Sequence, residues 1–299
     1  MAKMSDLYFS DRERGPRPRT AEVISTTVWM ALRHLIQSRI DDGSFGFKFP
    51  DACPDGAGPF GCDARKFDTI VRAEIPDLPE HWLIYDPEEP LDPIMILDVL
   101  EFCARNVARP VRGHFHSFFG HYHLSFEREE GLNEFVTDVN RLLARNGIAF
   151  ELTNEGNAIR LGPAVLRDAL ATTLFHTGDA ETDRLLEDSR RLILSPHIED
   201  RRHGLEKLWD AFERIKTLES GTDKRAQATI LLDKVTQAPR LRSFLENEAK
   251  ELTAIGNNLQ IRHFEKTQEK LDRSEEVDYL FHRMFSFIVL LLRATGREG

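Results

Sequence analysis

The stretch Ser274-Glu275-Glu276-Val277-Asp278-Tyr279-Leu280-Phe281-His282-Arg283-Met284-Phe285-Ser286-Phe287-Ile288-Val289-Leu290-Leu291-Leu292-Arg293 decides the fold class. Val277, Leu280, Phe281, Met284, Phe285, Ile288 and Leu291 recur at steps of three and four, the period of a helix with one buried stripe. Ser274 offers a capping hydroxyl, and Glu275 and Glu276 put acids in the first turn, where the positive end of the helix favours them. Phe287, Val289, Leu290 and Leu292 fall outside the stripe, so the end of this helix needs cover from the first part of the chain or from a second copy. Its most apolar run, Phe285 to Leu292, is far shorter than the roughly 20 residues of a membrane span.

Upstream, the same period recurs over Thr182 to Leu194, Asp200 to Leu218, Lys224 to Val235 and Leu241 to Leu252, which predicts a helical bundle. The first part reads differently. A polar, proline-broken arm over Phe9 to Arg19 precedes a helix capped by Thr20 and running to about Ile40. Residues 41 to 66 carry enough glycine and proline to read as one long loop. A helix from Asp92 or Pro93 to about Val107 follows, then one from Leu132 to Arg145 stopped by Asn146-Gly147. Alternating Ile148, Phe150 and Leu152, then Ile159 and Leu161, flank Asn154-Glu155-Gly156-Asn157 and predict a β-hairpin. Gly162-Pro163 opens another helix through about Leu174. The expected fold is mainly α, with an N-terminal helical domain carrying a small β-hairpin (residues 1–178) and a C-terminal helical bundle (179–299).

Charge separates the two parts. Of 40 basic and 50 acidic side chains, residues 183–299 hold 21 of each, residues 1–39 hold 7 and 4, and residues 40–182 hold 12 and 25. A middle segment that acidic repels phosphate, which argues against reading the helix from Leu132 and the hairpin after it as a DNA-binding winged helix. Three cysteines, Cys53, Cys62 and Cys103, make no disulfide framework and fit a reducing, cytoplasmic setting. Cys53 and Cys62 lack a matching cysteine pair and make a weak zinc signal by themselves.

Two polar constellations carry chemistry. The first is the turn Asn257-Asn258-Leu259-Gln260-Ile261-Arg262-His263-Phe264-Glu265. There Arg262 can clamp an anionic oxygen and His263 can move a proton, the minimum kit for cleaving a phosphodiester without metal. Glu213 and Lys216, at the edge of the stripe set by Leu205, Trp209 and Phe212, could join it, with Glu213 orienting the imidazole, or form an ordinary flank ion pair. Asn257, Asn258, Lys216 and Glu265 are the expected substrate contacts. The second is His114-Phe115-His116-Ser117-Phe118-Phe119-Gly120-His121-Tyr122-His123. If each His-x-His lies on a strand, its two imidazoles share a face and Gly120 can turn the pairs toward one metal ion. The interleaved aromatics equally suit a packed structural segment.

Asp200-Arg201-Arg202, Leu205 to Leu218, Ile261-Arg262-His263 and Val277-Asp278-Tyr279-Leu280-Phe281 together resemble the C-terminal HEPN-like domain of AbiJ-type abortive-infection proteins. Phe9-Ser10-Asp11-Arg12 is similar to the opening of that family's N-terminal domain. The resemblance implies a bundle that dimerises and acts in phage defence as a metal-independent ribonuclease needing no cofactor. Its signature is an Arg, four to six residues, then a His; His263 matches the His, while Arg262 stands immediately beside it. The implied roles are His263 as general base, Arg262 as phosphate clamp and Glu213 as orienter. A non-catalytic module binding a nucleotide, RNA or a protein is the alternative. RNA, a second copy of the chain and a phage or host regulatory factor are the expected partners, and a membrane is not.

Overall fold

A computed structural model describes residues 8–84, 90–162, 169–259, 261 and 268–298. The chain divides into two compact units, Met1–Leu161 and Gly162–Gly299, against the sequence-based division at 178/179. The fold is mainly α with small two-stranded sheets. Among the described residues no helix is long and apolar enough to cross a membrane.

In the first unit, α1 (Phe9–Arg14) precedes α2 (Thr26–Asp41), which Ser25 caps through Val28 N. Thr20 is not the cap: the Thr20 and Ala21 amides donate to Gly147 O, so these residues run beside the segment entering the last hairpin. The expected loop at 41–66 holds a hairpin, β1 (Pro50–Ala52) with β2 (Pro59–Cys62), and the start of α3 (Ala64–Glu74), capped by Asp63. Next come α4 (Pro93–Asn106), the hairpin of β3 (Arg109–His116) and β4 (His121–Glu127), α5 (Arg128–Arg145), and the expected hairpin, β5 (Phe150–Leu152) with β6 (Ala158–Arg160). α5 begins before Leu132 because Arg128 donates to the carbonyls of Ala104, Arg105 and Val107, satisfying the end of α4. Trp29, Trp82, Phe67, Phe102 and Phe135 anchor the core.

Two close backbone approaches aim the first two hairpins. A Cβ on Gly46 would meet Gly61 O at 2.5 Å, so the turn after α2 can lie on β2 only without a side chain there. A Cβ on Gly131 would meet Arg109 N at 2.2 Å, so the first turn of α5 abuts the start of β3. β2 in turn packs on β4.

In the second unit, residues 169–172 are helical, within a span otherwise largely outside the described residues. Then follow α6 (Ala180–Ile193), α7 (Ile198–Ile215), α8 (Lys224–Val235), α9 (Pro239–Asn258) and α10 (Ser274–Ala294). Ser274 is the first residue of α10 and not its cap; its hydroxyl accepts from the buried Arg201. Trp209, Phe212, Phe281, Phe285 and Ile288 fill the core. Phe287, Val289 and Leu292 are buried in the same cluster, so the broad apolar end of α10 is largely covered by its own unit, while Leu290 stays exposed.

Candidate functional site

Among the described residues, those singled out in the bundle fall in two places. α9 continues through Asn258, so Asn257 and Asn258 belong to its last turn and not to a loop. Gly256 permits this. It is buried against Trp209, whose indole N–H donates to Leu252 O at 2.8 Å. Arg262, His263 and Glu265 lie outside the described residues.

Lys216 and Asn257 line the same cavity, about 460 Å³ in volume, between α8 and α9. Lys216 Nζ donates to Glu213 Oε1 at 2.6 Å and Thr253 Oγ1 at 3.0 Å, and sits 4.8 Å from the centre of the Phe212 ring. Glu213 is therefore held by Lys216 and lines a separate depression with Arg184, Lys207 and Arg214. The flank-pair alternative for Glu213 and Lys216 is what the geometry contains.

Sequence reasoning missed the rest of the cavity: Arg225 from α8, and Arg242, Glu246 and Lys250 from α9. Arg242, Glu246, Lys250, Thr253 and Asn257 follow a three-to-four-residue step along α9, a polar stripe that periodicity contains but that a search for apolar faces passes over. Glu246 lies 2.7 Å from Lys250 and 3.2 Å from Arg242, and the Lys250 hydrogen bond foremost holds its carboxyl below the ordinary range. Arg242 also reaches Asp233 at 2.7 Å. Among the described residues, no side-chain partner engages the guanidinium of Arg225. Four cations and one carboxylate around a cavity of this size favour an anionic ligand.

The histidine-rich segment of the first unit is resolved into three residues that converge and one that does not. His121 and His123, two apart on β4, share a face, and His116 is the register partner of His121 across the β3–β4 turn. His114 is exposed and outside the group, because a register shift between Arg112 and Phe115 breaks the alternation that would have put it beside His116. The fourth member is Cys53, from the turn after β1. Two signals that were each incomplete in sequence thus meet in space.

No family model, curated protein or solved structure matches the chain.

Proposed function

We propose that the second unit binds RNA through its phosphates and cleaves it as a HEPN-like, metal-independent ribonuclease of cytoplasmic phage defence, working as a homodimer. The observation that carries the binding is the cavity gathering Lys216, Arg225, Arg242 and Lys250 around a single carboxylate, Glu246. Cleavage rests on the resemblance and on the chemistry of Arg262 and His263. His263 takes the proton of a ribose 2′-hydroxyl, the freed oxygen bonds to phosphorus, and the 5′-oxygen leaves and acquires a proton, giving a cyclic phosphate end. Arg262 neutralises the charge that builds on the phosphate.

One observation favours the non-catalytic alternative: Glu213 is engaged by Lys216 and lines a different depression from Asn257, so it is not free to orient an imidazole. The discriminating experiment incubates the full chain with end-labelled RNA in the presence of EDTA. Products ending in a 2′,3′-cyclic phosphate, absent with His263→Ala, are expected. Intact RNA bound with an affinity that Arg225→Glu weakens would replace the ribonuclease with a binding module, and RNA neither bound nor cut would overturn both. In cells, His263→Ala and Arg262→Ala are expected to abolish growth arrest by the wild type.

A further inference from the structure

We propose that Cys53, His116, His121 and His123 form a closed, four-ligand zinc site that staples the β1–β2 hairpin to the β3–β4 hairpin. The four ligand atoms all lie within 4.8 Å of one another. A tetrahedral zinc, with bonds of about 2.0–2.3 Å to nitrogen and sulfur, holds its ligands roughly 3.5 Å apart, so small side-chain rotations close the set. Cys53 Sγ and His116 Nδ1 are already 3.4 Å apart.

The independent mark of a ligand is unmet bonding capacity. The Nε2 atoms of His121 and His123 are buried and make no hydrogen bond. An imidazole nitrogen sealed from water without a partner is costly, and two aimed into one group are explained together by an electron-pair acceptor between them. Phe60 stacks on the His121 ring, with centres 4.2 Å apart and planes 9° from parallel, and Phe119 lies nearly parallel to it at 5.9 Å. These rings fix the orientation of the imidazole.

The donor set selects the ion. One thiolate and three neutral imidazoles suit zinc and disfavour magnesium and calcium, which take oxygen. With four protein ligands no position remains for water or substrate, so the role is structural. Asp55 adds negative charge beside the site: its carboxylate lies 3.1 Å from His116 Nδ1, the nitrogen that also faces Cys53 Sγ, and accepts from Ala57 N. A thiolate and Asp55 balance the two charges of the ion.

The mechanical need is evident from the topology. Among the described residues each hairpin is a two-stranded sheet with no further strand paired to it, a unit that is marginal in water, and β3–β4 presents Phe115, Phe118, Phe119 and Tyr122 to solvent. One ion tying both gives the pair a fixed geometry. The site lies in the first unit, so its failure leaves the ribonuclease proposal untouched.

The test is elemental analysis and Co²⁺ spectroscopy of the full chain. About one zinc per chain is expected after purification. Co²⁺ in its place should give intense four-coordinate d–d bands and a thiolate-to-cobalt charge-transfer band. Cys53→Ser should remove that band, and His121→Gln and His123→Gln should each lower the metal content, whereas Cys62→Ser and His114→Gln leave both readouts unchanged. Asp55→Asn removes a negative charge beside the site and should weaken zinc in competition with a chelating dye. Should Cys53→Ser fail to fold, wild-type protein suffices: chelation is expected to speed alkylation of Cys53 while that of Cys62 stays constant. Absence of zinc with a weak six-coordinate cobalt spectrum, a charge-transfer band surviving Cys53→Ser, or Cys53 alkylation indifferent to chelation would each overturn the site.

Discussion

Gly256→Ala tests the seat of α9, on which the basic cavity depends. By intrinsic preference the change is favourable, since alanine gains roughly 1 kcal/mol over glycine inside a helix. Its new methyl, however, would stand 2.2 Å from Trp209 Nε1 and 2.3 Å from Trp209 Cδ1, against about 3.5–4.0 Å for a comfortable contact. Trp209 cannot yield easily: it is 0% exposed and its indole N–H is committed to Leu252 O, one turn before Gly256 on the same helix. Overpacking typically costs about 1–3 kcal/mol, and leaving a buried donor unpaired costs about as much again. Repulsion wins. The expected outcome is a net loss of about 2–3 kcal/mol, read as a melting-temperature fall of roughly 5–10 °C, with faster amide exchange concentrated in α7 and α9. Trp209→Phe in the same chain should recover part of it, because removing the pyrrole edge makes room for the methyl; the pair is then coupled and its effects do not add. A Gly256→Ala protein as stable as wild type, or more so, would mean that helix preference governs and that α9 does not rest on the indole.

Gly131→Ala should be more severe, because the added carbon meets backbone at 2.2 Å from Arg109 N and 2.4 Å from Ala108 C; circular dichroism and melting of the full chain should show the first unit losing its transition. Glu219 joins the chain after α7 to Lys234 (2.6 Å) and Arg297 (2.7 Å). Burial works against its charge, but these two partners prevail and hold the carboxyl below its ordinary value, so its stabilising contribution is complete above about pH 4.5 and is lost as pH falls through the folded value. Glu219→Gln should lower stability at pH 7 and flatten that acid limb in pH-resolved melting. Binding of single-stranded RNA, if three or four cations of the cavity each meet a phosphate, should weaken with a log–log salt slope of roughly −2 to −3, and Arg225→Ala should reduce that slope by about one phosphate contact, measured by fluorescence anisotropy. A salt-independent affinity would remove the cavity from the RNA path.

The helices of the second unit were legible because each buries a stripe against the others, and burial at a helical period is what a sequence displays most openly. Lys224 to Val235 appears with the same bounds in both readings, since Asp223 caps it and Thr236 ends it in extended backbone. The helix Ala64–Glu74 was not legible: it is short and buries only Phe67 and Val71, too small an apolar face to stand out beside a glycine-rich loop. Asn257 and Asn258 were misplaced because a glycine followed by two amides is ordinary punctuation at a helix end. Only the indole against Gly256 shows why the helix runs on. The His114 assignment failed through a bulge, which shifts the facing of every side chain past it and leaves no reliable mark in sequence. Cys53 was undervalued for a different reason. Its partners stand more than sixty residues away and are histidines, so neither a cysteine pattern nor a histidine pattern was complete alone.

Charge counted along a chain and charge presented on a face are different quantities, and the second unit depends on the difference. Residues 183–299 are neutral in sum, which by itself says nothing about phosphate. Folding sorts them: α8 and α9 turn Arg225, Arg242 and Lys250 into one cavity with Lys216, while acids such as Asp233 and Glu213 hold those cations from the outer side. The excess acid of residues 40–182 is compatible with the zinc site proposed for the first unit. A segment rich in acid repels polyanions but not a divalent ion, which under that proposal the imidazoles and single thiol that converge there would take. Which charge a surface suits is therefore read from its faces and not from the totals along the chain.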